Sequence, residues 1–374
     1  MSVLHRIETA GRLVIKIGST LLVDPERGTV HRRWLEALAE DLAECRARGQ
    51  EVVIVSSGAI AVGRRHLGLS DGRLKLEESQ AAAATGMIRL AHAYQEVLAH
   101  HEMTVAQVLV TLDDSESRRR YLNARNTLET LVRLGAVPLI NENDTVATDE
   151  IRFGDNDRLA ARVGAMISAD TLVLLSNIDG LYDRDPRQHD DAKLVPEVTG
   201  DITGEIQNMA GTSKSYDGSG GMVTKLEAAR IALGAGMRMV ITDGTEPNPL
   251  RRIDAGGPCT WFLPDANPKT ARKRWIAGAL KPAGEMIVDD GALRALKTGK
   301  SLLPAGVTGV TGSFERGDAV VIRTRDGREI GRGLSAYSSD DARRIMGNKT
   351  SEIEALLGYR GRDEMVHRDD LALD

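Results

Sequence analysis

Between Asn141 and Asp157 the chain places six carboxylates and three side-chain amides against a single arginine. The segment reads Asn-Glu-Asn-Asp-Thr-Val-Ala-Thr-Asp-Glu-Ile-Arg-Phe-Gly-Asp-Asn-Asp and directly follows the apolar run Ala136–Ile140. Carboxylates accept from an ammonium and amide N–H groups donate to a carboxylate, so this mixture suits a small zwitterion. Taken alone, the stretch reads equally well as a polar turn, with Asp155 or Asn156 as the N-cap of the helix that follows. Capping does not account for Asp157 as well. A second chemical signal is Gly218-Ser219-Gly220-Gly221-Met222-Val223-Thr224-Lys225, which opens a helical stripe of Met222, Leu226, Ala229 and Leu233. Glycines at a helix start leave backbone N–H groups open to phosphate, and Thr224 and Lys225 add a hydroxyl and a cation. A flexible loop ending in a surface lysine is the competing reading. Third, Lys16 interrupts the apolar run Leu13–Ile17, where burying an ammonium is costly unless an anion meets it. A lysine snorkelling from the strand end is the plainer alternative.

The elements that would position these groups are legible in outline. Apolar runs recur at Leu13–Ile17, Val52–Val55, Val105–Val110, Ala136–Ile140, Thr171–Leu175 and Met237–Thr242, with helical patterns between most of them. The segment from His31 to Arg48 carries Trp34, Leu35, Leu38, Leu42 and Cys45 on one stripe. This alternation predicts an α/β chain whose largely parallel sheet is covered on both faces. Ligands in such folds bind beyond the carboxyl ends of the strands. The residues there are Gly18-Ser19-Thr20 after the first run, Ser56-Ser57-Gly58-Ala59 after the second, the acidic loop after the fourth, and Ser176-Asn177-Ile178-Asp179-Gly180-Leu181-Tyr182-Asp183 after the fifth.

Length and composition bound the answer. At 374 residues the chain is too long for one ordinary core. Aromatic residues make up 3% and the formal net charge is −5, which argues against a general binder of nucleic acid or anionic membrane. The two cysteines, Cys45 and Cys259, lie far apart and predict no disulfide framework. No secretory h-region or membrane-length apolar stretch is present, so the expected location is the cytoplasm. Several motif lookalikes fail. Thr298-Gly299-Lys300-Ser301 has Arg294 where a phosphate loop needs its first glycine, and His367-Arg368-Asp369 lacks the downstream asparagine of a protein-kinase loop. His100-His101-Glu102 lacks the second histidine of a zinc helix, and no metal-ligand cluster is expected.

The character changes after residue 266. Residues 267–282, with Pro268, Pro282 and the basic run Lys269, Arg272, Lys273 and Arg274, read as a linker with a short helix. Short β-rich pieces at Glu285–Val288, Gly306–Val310, Ala319–Arg323 and Glu329–Leu334 predict a small barrel-like domain over 283–361, leaving 362–374 as a tail.

Taken together, Leu13-Val14-Ile15-Lys16-Ile17-Gly18-Ser19, Ile54-Val55-Ser56-Ser57-Gly58-Ala59-Ile60, Ile140-Asn141-Glu142-Asn143-Asp144, Gly154-Asp155-Asn156-Asp157 and Ser219-Gly220-Gly221-Met222-Val223-Thr224-Lys225 resemble the bacterial glutamate 5-kinases. Ser301-Leu302-Leu303-Pro304-Ala305-Gly306 and Arg343-Arg344-Ile345 resemble the PUA domain that many of those enzymes carry. The resemblance implies a three-layer αβα amino-acid-kinase fold over 1–266 and transfer of the γ-phosphoryl group of ATP to the side chain of L-glutamate, with Mg²⁺ bound mainly through the ATP. It implies that Ser57, Asp144 and Asn156 hold glutamate. Lys16, Ser176, Asn177, Ser219, Gly220, Gly221, Met222, Val223, Thr224 and Lys225 would then serve ATP, with Lys16 and Lys225 flanking the moving group and Asp157 orienting them. Proline as feedback inhibitor, a homo-oligomer (dimer or tetramer) and hand-over of the product to γ-glutamyl phosphate reductase are further expectations from the resemblance. Two positions depart from the pattern: the family often has Asp where Asn177 stands, and Thr and Ser where Ser219 and Val223 stand.

Two other readings stay open at this level. One is a sister kinase of the same fold acting on N-acetylglutamate, aspartate, carbamate or a nucleoside monophosphate. The other is RNA binding through the C-terminal domain, against which residues 283–361 hold 12 Lys and Arg beside 11 Asp and Glu.

Overall fold

Short runs of β-branched and aliphatic residues become strands because both faces of the sheet they enter are covered. The computed structural model describes residues 6–24, 26–69, 72–111, 114–115, 117–146, 156–211, 221–265, 267–278 and 281–373. The chain divides into two units, Met1–Pro268 and Lys269–Asp374.

In the first unit eight strands form one sheet: β1 Arg12–Ile17, β2 Glu51–Ser56, β3 Val105–Val110, β4 Val137–Glu142, β5 Thr171–Ser176, β6 Glu197–Thr199, β7 Arg238–Asp243 and β8 Cys259–Leu263. Their order is β3-β4-β2-β1-β5-β7-β8-β6. Neighbours run parallel from β3 through to β7, and only the β7–β8 pair is antiparallel. Side chains of β1 alternate between two cores, as a period of two requires. Leu13, Ile15 and Ile17 pack with Trp34, Leu38 and Leu42 of the helix Arg32–Ala47. Val14 packs with Leu159 and Ala160 of the helix Asn156–Met166 and with Leu226 and Ala229 of the helix Met222–Gly234. The sheet is thus the middle layer of three, and Lys16 shares the Val14 face.

β4 extends two residues past its apolar run, so Asn141 and Glu142 end it as buried strand residues. Two strands are not visible as patterns in the sequence. β6 has three residues with exposed ends, and β8 is a five-residue apolar run just before the change in composition. β8 can run antiparallel because the short helix Pro249–Asp254 turns the chain without a long crossover.

Two helices following β2 are locked by glycine. A Cβ on Gly63 would lie 1.8 Å from the carbonyl oxygen of Ala82, and one on Gly86 would lie 1.8 Å from that of Ala59. The helices Ala59–His66 and Leu76–Ala99 therefore touch backbone to backbone. Gly86→Ala is expected to destabilise the protein by about 2–3 kcal/mol, because the extra methyl meets backbone that cannot step aside. A lower urea midpoint at constant slope would register this, and an unchanged midpoint would show that the two helices separate freely.

The second unit has a five-stranded sheet of β9 Gly284–Val288, β10 Val307–Gly312, β11 Ala319–Thr324, β12 Glu329–Leu334 and β13 Leu371–Leu373, in the order β10-β9-β11-β12-β13. Its core includes Met286, Val288, Phe314, Val320, Ile322, Ile345 and Val366. Residues 362–374 read as a tail in the sequence, yet β13 pairs with β12, and Arg272 of the helix Pro268–Gly278 holds Asp370 at 2.5 Å. Three residues are too few for a strand pattern to show.

Candidate active site

Strands β4, β2, β1 and β5 are consecutive neighbours, and their parallel registers set their carboxyl ends side by side. Ile17 lies opposite both Ser56 and Leu175. The turn after β2 is made at Gly58, whose φ of 99° is open to glycine and strained for other residues. A Cβ there would also come within 2.9 Å of Val23.

Asp157 lies at the start of the helix Asn156–Met166 and is buried at 1% exposure. Lys16 Nζ from β1 approaches its Oδ1 at 2.6 Å, and Lys225 Nζ from the first turn of Met222–Gly234 donates to its Oδ2 at 3.0 Å. Both lysines are buried. Burial alone would raise the Asp157 carboxyl, but the two ammoniums outweigh it and hold the group down at about 2. The carboxylate is therefore charged at any physiological pH and acts as a spacer that sets where two cations stand. The Thr224 hydroxyl donates to Gly221 O at 2.8 Å and lies 3.3 Å from Asp157 Oδ2. The snorkelling alternative for Lys16 is thereby set aside: its charge is met inside the protein.

The neighbouring residue serves the other side. Asn156 Nδ2 donates to Ser56 O at 3.0 Å and to Ser57 Oγ at 2.8 Å, so the side chain crosses to the end of β2 rather than capping its own helix. Its buried Oδ1 has no hydrogen-bond partner among the described residues. Asp144, just past β4, is 7% exposed, and burial pushes its carboxyl up to about 6. Among the described residues no cation faces it. Among the described residues, a buried amide oxygen with no hydrogen-bond partner and a buried carboxyl with no cation beside it are each costly to fold.

The remaining expected residues divide. Gly221, Met222, Val223, Thr224 and Lys225 form the N-cap and first turn of their helix, with Val223 exposed. Ser219 and Gly220, like Gly154 and Asp155, lie outside the described residues. Ser176 ends β5 and Asn177 follows it; the Ser176 hydroxyl lies 3.4 Å from Asn177 Oδ1. The loop after them is tied down by Thr260, which donates to Val195 O at 2.6 Å and accepts from Leu181 N–H at 2.8 Å. Sequence reasoning named Ser56 only as part of the small-residue turn after the second run and gave no role to Tyr94; their hydroxyls meet at 3.1 Å. Tyr94 shares a helical stripe with Met87, Leu90 and Val97, so its pattern signals core and nothing more. Among the described residues no cluster of three or more His, Cys, Asp or Glu side chains is arranged to hold a metal ion.

The chain is similar to known proteins over nearly its whole length. Residues 11–243 match the model of the Amino acid kinase family, and residues 284–357 match that of the PUA domain. The chain is 65% identical over 368 residues to glutamate 5-kinase of Paramagnetospirillum magneticum, spanning 98% of this chain and 99% of the relative. It is 61% identical over 361 residues to that of Rhodospirillum rubrum, spanning 96% of each. It is 57% identical over 367 residues to that of Dinoroseobacter shibae, spanning 98% and 99%. Similarity that runs nearly the full length of each relative, over a parallel sheet with its charged groups gathered at the strand ends, leads to one assignment: the chain belongs to the amino acid kinase family.

Proposed function

We propose that this protein transfers the γ-phosphoryl group of ATP to the side-chain carboxylate of L-glutamate, forming γ-glutamyl phosphate at the first step of proline synthesis. The observation that carries the reading is the pair of buried ammoniums fixed on opposite oxygens of Asp157, while the preceding residue, Asn156, turns its side chain to Ser56 and Ser57 at the end of β2. The acceptor carboxylate, with a solution pKa of about 4.3, is already ionised at neutral pH, so the reaction asks for no general base. What it does ask for is that two anions be brought together and that charge be offset as it spreads over the transferring group. Lys16 and Lys225, spaced by Asp157, supply fixed cations for this, and the N–H groups of the helix start Met222–Gly234 face the phosphates. Mg²⁺, when bound, neutralises phosphate oxygens; in this reading it arrives with the nucleotide. Asn156 Oδ1 and Asp144 accept the α-ammonium of glutamate, which selects a free amino acid over an N-acylated one. Ser57 lies at the same pocket, while Ser176 and Asn177 stand on the nucleotide side.

The reading places the reaction in the cytoplasm, where both substrates are held, and no described helix is long and apolar enough to cross a membrane. Proline as an inhibitor at the glutamate pocket, a homo-oligomeric state and delivery of the labile product to γ-glutamyl phosphate reductase belong to the same proposal. Lys225→Ala is expected to lower kcat by roughly a hundredfold or more while the glutamate KM stays within about threefold, because the lysine acts on developing charge rather than on the acceptor's ammonium. Steady-state kinetics check this, and a changed glutamate KM at constant kcat would reverse the role. The functional reading itself is tested by hydroxylamine trapping with MgATP and, in parallel, L-glutamate, N-acetyl-L-glutamate, L-aspartate or no acceptor. Hydroxamate with L-glutamate alone is expected. Signal with another acceptor moves the chain to a sister kinase, and no signal with any removes the kinase reading.

A further inference from the structure

Tyr94 is fully buried in the helix Leu76–Ala99, with its hydroxyl at the end of β2. Buried tyrosines keep their hydroxyl for a partner, and here the partner is Ser56 Oγ at 3.1 Å. The Ser56 hydroxyl has one proton, which it gives to Ser57 O at 3.3 Å, so the phenol is the donor to Ser56. Burial raises the Tyr94 phenol above its ordinary range, which keeps it a neutral donor. Ser56 in turn offers its carbonyl oxygen to Asn156 Nδ2 at 3.0 Å, and the same Nδ2 reaches Ser57 Oγ at 2.8 Å. These two bonds fix the amide plane of Asn156 and leave Oδ1 as the free acceptor among the described residues. The helix carrying Tyr94 cannot drift from this turn, because Gly86 of that helix lies against the Ala59 carbonyl just beyond Gly58.

We propose that Tyr94 is a positioning residue for the acceptor pocket: through Ser56 it holds the Ser56-Ser57 peptide on which Asn156 is oriented, and thereby sets how Asn156 Oδ1 meets the ammonium of the acceptor. This rests on the functional reading above. A tyrosine that merely filled the core would affect stability and leave substrate affinity alone, so kinetics separate the two roles.

The test uses the full-length protein with Tyr94→Phe, Ser56→Ala and the double variant, measuring kcat, the KM for L-glutamate, the KM for ATP and the melting temperature. Tyr94→Phe and Ser56→Ala are each expected to raise the glutamate KM by roughly 3–10-fold, with kcat and the ATP KM within about twofold. The double variant is expected to equal the larger single effect, because both changes break the same bond. If Tyr94→Phe fails to fold, Ser56→Ala carries the test through the other end of that bond. An active wild type with unchanged glutamate KM in the folded variants overturns this inference alone. So does a uniform change of kcat and both KM values that follows the melting temperature. A wild type that forms no hydroxamate with L-glutamate overturns the functional reading and this inference with it.

Discussion

Asp157→Asn is expected to reduce kcat by about 10²–10³-fold and to destabilise the protein at the same time. Asparagine has nearly the same shape, so the change removes charge and little else. Lys16 and Lys225, now held 2.6 and 3.0 Å from opposite oxygens of one carboxylate, would be left as two buried like charges around a neutral amide. Removing one member of a buried ion pair costs about 3–5 kcal/mol, because the partner charge remains desolvated. The pH dependence gives an independent check. With its folded pKa depressed to about 2, Asp157 contributes stability that is present above the unfolded value of about 3.9 and is lost as pH falls through about 2. That difference amounts to about 2–3 kcal/mol, from a group buried well enough to escape solvent screening. Urea unfolding at pH 7 and at pH 3 should therefore show wild type and Asp157→Asn drawing closer in acid. Full kcat in the asparagine variant would refute the claim that Asp157 sets the lysines for catalysis.

Asp144 presents the opposite sign and a trade between stability and function. Its folded pKa, raised to about 6 by burial, means that the protein gains from this residue only below the unfolded value of about 3.9 and loses that gain as pH rises through 6. Above pH 7 the buried carboxylate is charged and costs about 3 kcal/mol in the absence of substrate. Asp144→Asn should consequently raise the melting temperature at pH 8 by the equivalent of about 1–3 kcal/mol, part of the gain being offset by the unpartnered amide. The same change is expected to raise the glutamate KM by about a hundredfold, since it deletes the charge that meets the ammonium. In the wild type the glutamate KM should climb about tenfold per pH unit below pH 6, as the protonated form takes over. Calorimetry without ligand and steady-state kinetics across pH 5–8 read both effects. A variant that is less stable and binds glutamate normally would show that Asp144 is a structural carboxylate.

How far these groups could be found without coordinates depends on the kind of signal each one leaves. Lys16 stands out in the sequence because a cation inside Leu13–Ile17 contradicts its surroundings. The glycines before Thr224 and Lys225, and the acids and amides after Ile140, stand out for a similar reason: each is an unusual residue type for a place just after an apolar run. Strand alternation even assigns Lys16 to the face shared by Asn156–Met166 and Met222–Gly234. Periodicity likewise reveals the main strands of the central sheet and the Trp34, Leu38, Leu42 stripe, since burial on both faces forces apolar runs and a helix packed on a sheet forces a stripe. The three-residue strands β6 and β13 leave no such trace.

The partnerships were decided elsewhere. Asp157 meets Lys225, 68 residues away, and Asn156 meets Ser56, 100 residues away, because parallel pairing of β1, β2, β4 and β5 brings their carboxyl ends together. Adjacent residues Asn156 and Asp157 then turn in different directions, one to Ser56 and Ser57 and one to the lysines, a division no local pattern encodes. Tyr94 reads as core by every sequence criterion until its hydroxyl is seen against Ser56. Residue types and spacing alone determined that this chain carries unusual cations, carboxylates and glycines just after its apolar runs and at a helix start. Tertiary structure determined which carboxylate holds which cation, since hydrogen bonds and ion pairs act over about 3 Å of space whatever their separation along the chain.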